Sequence, residues 1–280
     1  MNIKIISDST CDLPASLLEQ HNITLAPLTV VKGDEQFKDG VTITPADIFA
    51  HVASGGDLCS TAAVSIGEYE DLFSQFSKDY DAVIHINIGS GFSACYQNAC
   101  LAAEEFDNVR CIDSMNLTSG QGLLVLKACQ LAKEMDDLDA ICDALREYTN
   151  KIETSFLVDK LDYLVKGGRC SSAAALGANL LNLKPCIEVR DGKMTVVKKY
   201  RGSFAKSLGS YIKERIADRD DLDLNMAFLP QTVVSDEGQQ AVAEALSTYG
   251  KFSQVIPATA GCTVSCHCGP GTLGIVFLKK

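Results

Sequence analysis

Short apolar runs recur along the first half of the chain. Each is followed by a polar turn and then by a segment with helical spacing. Ile3 to Ser7 is the first run, Thr24 to Val31 the second, Ala82 to Ile88 the third, and Val109 to Asp113 the next. Apolar runs of this length between turn residues read as buried strands. Pro14, just after Asp12, opens a helix to about Gln20, and Pro45 opens another through Ala53. Further helices are expected over Glu68–Lys78, Tyr96–Glu105 and Leu123–Met135, and one capped within Asp136–Asp139 that runs to about Lys151. Strand alternating with helix predicts a parallel sheet covered on both faces.

The pattern changes near residue 152. Ser155–Val158 reads as a strand, and Leu161–Arg169 as a helix closed by Gly167-Gly168. Ala173–Leu181 reads as a short helix. Cys186–Arg190 and Lys193–Tyr200 flank Asp191-Gly192, a two-residue hairpin signal. Phe204–Ile216 and Glu237–Leu246 read as helices, and Asn225–Leu229, Gln254–Pro257 and Leu273–Leu278 as strands. The expected fold is α/β with two domains and a cleft between them. Residues 1–152 would form a three-layer α/β/α domain with a parallel sheet. Residues 153–280 would form a two-layer α/β domain with a mixed or antiparallel sheet.

Composition narrows the partners. The 280 residues are 46% hydrophobic and 22% charged, ordinary values for a globular protein. Twenty-five basic against 36 acidic residues give a net charge of −11. That argues against nucleic acid or an anionic membrane surface as the main partner. No apolar run is long enough to span a bilayer, and the start is too soon polar for a signal peptide, so a cytoplasmic location is expected. Twelve scattered cysteines then read as small buried hydrophobes rather than a disulfide framework. Cys262, Cys266, His267 and Cys268 form the one cluster, but no second C-x-x-C pair completes a zinc site, and no metal or other cofactor is expected.

The chemistry gathers at Ile88-Gly89-Ser90-Gly91-Phe92-Ser93, between a strand and a helix. Glycines let the backbone approach a ligand, and free N–H groups at a helix start favour an anion. Ser90 and Ser93 add hydroxyls. The plainer reading is a serine-capped turn. Thr61 to Ser65 is a second hydroxyl-bearing stretch, whose plain reading is a helix cap. Asp8 follows the first strand, where ligand sites of α/β proteins lie, and reads as a loop cap, a nucleophile or a metal ligand.

Five stretches, taken together and in order, resemble the DegV family. They are Ser7-Asp8-Ser9-Thr10-Cys11-Asp12-Leu13-Pro14; Ser90-Gly91-Phe92-Ser93 with Tyr96-Gln97; Asp113-Ser114 with Gly120-Gln121-Gly122; Leu161 to Arg169; and His267 with Gly269-Pro270-Gly271. They span nearly the whole chain. The resemblance implies a two-domain α/β carrier, not itself an enzyme, that binds one long-chain fatty acid. It implies that the carboxylate is presented to a separate ATP-dependent kinase, which makes an acyl-phosphate for phospholipid synthesis. Thr61 and Ser93 would hold the carboxylate, with Ser65, Ser90, Gly91 and His267 around it. Arg201, with His267, would support phosphoryl transfer, and Arg169 would dock the kinase. The chain departs from the family at Ala62-Ala63-Val64, where Ser-Gln-Pro is usual, and at Ala94-Cys95, where Gly and Thr are common.

Elementary chemistry agrees with that expectation. A buried carboxylate needs donors, which two hydroxyls and the turn's N–H groups can supply, and a protonated His267 would add a charge-assisted bond. Two alternatives stand beside the carrier. One is a self-sufficient hydrolase or phosphotransferase with Asp8 or Ser93 as nucleophile and His267 as base, although no phosphate-binding G-x-x-x-x-G-K-[ST] loop is present. The other is a binding module for a different apolar acid.

Overall fold

The computed structural model describes residues 1–175 and 183–280. In chain order the elements are β1 (Ile3–Asp8), α1 (Ala15–Gln20), β2 (Thr24–Ala26), β3 (Thr29–Lys32), β4 (Glu35–Lys38), α2 (Pro45–Ala53), β5 (Ser60–Ala62), α3 (Ile66–Phe76), β6 (Ala82–Asn87), α4 (Cys95–Ala103), β7 (Val109–Asp113), α5 (Thr118–Glu134) and α6 (Leu138–Thr149). The second half holds β8 (Ile152–Val158), α7 (Asp162–Gly167), α8 (Ser171–Ala174), β9 (Leu183–Arg190), β10 (Lys193–Arg201), α9 (Phe204–Ile216), β11 (Leu222–Gln231), α10 (Asp236–Tyr249), β12 (Gln254–Thr259), α11 (Cys262–Cys268) and β13 (Thr272–Lys279).

Strand β6 is buried along its whole length, as its unbroken apolar run requires. It is central in an all-parallel sheet of order β2-β1-β6-β7. Tyr69 and Phe73 of α3 and Ala99 and Ala102 of α4 cover one face. Helices α5 and α6 cover the other with Leu124, Val125, Ile141 and Leu145. A second sheet has the order β10-β9-β8-β13-β11-β12 and is antiparallel except for β11 with β12. Leu208, Tyr211 and Val242 of α9 and α10 pack on one of its faces. Its opposite face shares a core with α5 through Ile152, Phe228 and Val276. Helix α5 is therefore enclosed between the two sheets, and Thr118 to Val125 are all buried. A helix covered all round needs no polar face, which explains its weak amphipathic pattern.

Asp191 and Gly192 both take positive φ (49° and 69°) and join β9 to β10, as the hairpin signal requires. One local expectation is corrected. Thr24–Val31 is two strands, because Pro27 has no N–H to continue the ladder. Its second part, β3, lies in a separate antiparallel sheet of order β4-β3-β5. Thr61 thus sits on an edge strand and not in a helix cap. Cys262–Cys268 is helix α11, too short and too rich in cysteine and β-branched residues to show helical periodicity. Of the helix expected over Ala173–Leu181, only its start is helical among the described residues. Residues 176–182 lie outside them. No helix among the described residues is long and apolar enough to cross a membrane.

Candidate functional site

The site is built where α11, from the end of the chain, packs on β5, β3, α2 and α7. Two buried carboxylates fix its start. Asp12 Oδ1 accepts the Gly261 N–H at 2.8 Å, and its Oδ2 accepts the Thr118 hydroxyl at 2.6 Å. Asp39 accepts the N–H groups of Cys262 (2.8 Å) and Thr263 (3.1 Å) and the Ser9 hydroxyl (3.0 Å). Residues over two hundred positions apart thus satisfy the N–H groups that a helix start leaves open. Negative charge there also suits the helix dipole.

On α11, His267 Nε2 meets the Thr61 hydroxyl at 2.8 Å. The Ser93 hydroxyl faces the Cys95 thiol at 3.2 Å and accepts the Cys95 N–H. Thr61, Ser93 and His267 line one cavity of about 50 Å³, together with Arg169 and a mostly apolar wall that includes Leu28, Ile88, Phe92 and Met194. An adjoining cavity of about 20 Å³ shares Leu117, Val264 and Cys268 with the first. Larger recesses of about 550 and 570 Å³ lie elsewhere. The first of these is open and edged by Arg215 and Arg219, whose charges are already paired with Glu153 and Glu188 or Asp221.

The glycine–serine turn is less available than its sequence suggests. Ile88 N–H donates to Asp8, Gly89 N–H to the Asn116 carbonyl, Ser90 N–H to Asp113 and Phe92 N–H to the Gly89 carbonyl. Those four donors are spent inside the protein, and Ser93 brings its hydroxyl to the cavity. Asp8 is fully buried under the turn. It accepts from Tyr69, Asn87 and Ile88, with His85 Nε2 at 3.2 Å. It anchors the turn and meets no solvent, which removes it as a nucleophile.

Other expected residues lie away from the cavity. Ser65 and Glu68 form a reciprocal cap of α3. Ser90 is exposed, and Gly91 abuts the Gly192 carbonyl, which a β-carbon would approach to 2.2 Å. Arg201 is exposed at the end of β10. Arg169, expected at a docking surface, is exposed and also borders the cavity, its guanidinium on the carbonyls of Phe92 and Gly167. Thr263 also lines the cavity, and sequence reading missed it. Its spacing of four residues from His267 would have marked it had the helix been legible.

Burial, helped by the Arg169 charge, pushes the His267 ring down to about 4. The ring is neutral at pH 7, which corrects the expected charge-assisted bond. Burial holds the Cys95 thiol up at about 12, so Ser93 faces a thiol and not a thiolate. Burial also raises Asp12 to about 8, with Asp39 adding to the effect. All twelve cysteines are free thiols, ten of them buried. Cys266, His267 and Cys268 are consecutive on a helix, where side chains diverge by about 100°.

A family model described as an uncharacterised protein of the DegV family matches residues 2–280. A DegV domain-containing protein of Clostridium acetobutylicum is 33% identical over 283 residues, covering 99% of each chain. Among solved structures, a DegV family protein of Thermus thermophilus described by its fatty acid binding superposes with a TM-score of 0.90 at 27% identity, covering 100% of both chains. A stearic acid-binding protein of Eubacterium ventriosum superposes with a TM-score of 0.85 at 26% identity, covering 99% of this chain and 98% of the other.

Proposed function

The chain belongs to the DegV family, and on that premise we propose that it binds one long-chain fatty acid and acts as a carrier. One observation supports this most. Three hydroxyl residues (Thr61, Ser93 and Thr263), a neutral imidazole and one arginine meet on the wall of an otherwise apolar cavity. A carboxylate is the head group such a wall suits.

His267 Nδ1 has no partner among the described residues. We assign the proton to Nε2, which then donates to Thr61 Oγ1. The Thr61 O–H is left free to donate to a carboxylate oxygen. Ser93 faces only a weak sulfur acceptor, so its O–H can turn to the same ligand. Arg169 makes no ion pair among the described residues and supplies the counter-charge. A buried carboxylate without these donors would cost several kcal/mol.

The tail supplies affinity, at roughly 0.8 kcal/mol for each buried methylene before ordering costs. The two cavities are far smaller than the roughly 300 Å³ of a typical ligand pocket. The walls therefore part on binding, and Leu117, Val264 and Cys268, shared by both cavities, are the side chains that move.

In the same reading, a separate kinase transfers the γ-phosphoryl of ATP to one carboxylate oxygen, giving acyl-phosphate and ADP for phospholipid synthesis. Hydroxyls suit this role, because a bidentate arginine fork would occupy both oxygens. Arg201, exposed beyond the cavity, is assigned to the kinase-facing surface.

Native mass spectrometry of the purified protein, followed by organic extraction, tests the ligand. A stoichiometric fatty acid is expected. A ligand-free mass that does not shift with palmitate or oleate would overturn the reading. Acyl-phosphate made by the purified chain alone from ATP and fatty acid would overturn the carrier role.

A further inference from the structure

Thr263 is 4% exposed, and its hydroxyl finds no partner among the described residues. Buried hydroxyls are normally paired, and an unpaired one destabilises a fold. Valine would fill the same space without that cost. Thr263 also lines the head-group cavity. Its backbone N–H is pinned by Asp39, so the residue cannot turn away with its backbone. It lies four residues before His267 on α11, on the same face and about 5–6 Å away between β-carbons. Thr61, Ser93 and His267 already suffice for a carboxylate. A donor and acceptor one helical turn beyond them lies within reach of the first few chain carbons.

We propose that the preferred ligand is a long-chain fatty acid bearing a hydroxyl close to its carboxyl group, and that Thr263 pairs with that hydroxyl. The proposal rests on the fatty-acid reading above and narrows it to a substrate class. A plain acyl chain would press methylenes against the Thr263 hydroxyl and leave it unpaired. A hydroxylated chain both donates to it and accepts from it.

The test compares stearic acid with its β-hydroxy derivative on the full chain stripped of lipid, reading the ratio of dissociation constants. The same ratio is measured for Thr263→Val, which keeps the volume, and for Thr263→Ser, which keeps the hydroxyl. The wild type is expected to favour the β-hydroxy acid about fivefold, the net worth of one hydrogen bond. The ratio falls to about one in Thr263→Val and recovers in Thr263→Ser. Wild-type binding of stearic acid as tightly as the hydroxy acid would overturn the proposal while leaving the fatty-acid reading intact. Equal weakening of both acids by Thr263→Val, with the ratio kept, would also overturn it, making Thr263 a carboxylate ligand. If neither acid binds, the fatty-acid reading itself falls.

Discussion

The glycine–serine turn before α4 and the helix α11 face the same cavity but are built in opposite ways. The turn looks like an anion site in sequence, yet four of its backbone donors go to Asp8, Asp113, Asn116 and the turn itself, and Ser93 is the residue that brings a hydroxyl to the cavity. Helix α11 has almost no sequence signature, yet it supplies His267, Thr263, Val264 and Cys268 to the cavity wall. A buried acid anchors each region. Asp8 sits beneath the turn at the end of β1, the strand paired with β6, whereas Asp12 and Asp39 reach α11 from the far end of the chain. The turn carries its glycines and serines as a local mark in the sequence, although its partners are distant. A helix held by distant carboxylates carries no such mark.

The largest effect is expected from breaking that distant hold. Asp39 accepts on both oxygens, so Asp39→Asn would turn an amide N–H₂ toward a backbone N–H or the Ser9 hydroxyl. A loss of about 3 kcal/mol in urea unfolding is expected, with weakened fatty-acid binding because α11 loses its start. A loss below about 1 kcal/mol would mean that α11 is held by packing alone.

A pair of glycines sharpens the contrast. A β-carbon on Gly91 would lie 2.2 Å from the Gly192 carbonyl oxygen, so Gly91→Ala must move backbone in either the turn or the hairpin. It should cost about 2 kcal/mol of stability. A β-carbon on Gly167 would instead lie 2.5 Å from His267 Nδ1, and a ring can rotate away. Gly167→Ala should change stability by less than about 1 kcal/mol, since alanine favours the helix, but should weaken fatty-acid binding at least tenfold by displacing His267 from Thr61. Calorimetry and titration of both variants read this out. Equal losses of stability would erase the distinction between the two regions.

Legibility follows the range of the interactions. The β9–β10 hairpin and most helices were readable because neighbours in sequence make them, and the parallel sheet because its strands are buried apolar runs alternating with helices. Thr61 and Ser93 were found through their motifs, and the cavity brings them together with His267. The β4-β3-β5 sheet was missed because its strands are only three or four residues long and β5 joins β3 from beyond α2, although β3 and β4 meet at the tight turn Gly33-Asp34. Ser65 and Ser90 carried the right chemistry, but a local cap takes one and solvent the other. Arg169 is exposed, as a docking residue would be, but its place at the cavity rim was not legible, since nothing local indicates that the end of α7 packs against His267.

The smallest effect separates the two carboxylates of α11 by pH. Burial raises Asp12 to about 8, above its ordinary 3.8, so the folded state holds a proton that the unfolded chain releases. The stability this gives is complete below pH 3.8 and is lost as pH rises to about 8. His267 acts in the opposite sense. Its folded value is about 4 against an ordinary 6.5, so its contribution is complete above pH 6.5 and is lost as pH falls toward 4. The two slopes oppose each other between pH 4 and 6.5, and only the Asp12 loss continues from 6.5 to 8. Asp12→Asn mimics the protonated acid, with a carbonyl for the Gly261 N–H and an amide for the Thr118 oxygen. Its stability should match the wild type near pH 4 and exceed it progressively as pH rises to 7. His267→Gln should leave the Asp12 slope uncovered, so that stability falls steadily from pH 4 upward relative to wild type. If Asp12→Asn were instead as damaging as Asp39→Asn at pH 7, Asp12 would be ionised in the folded protein. The start of α11 would then be held by two full charges.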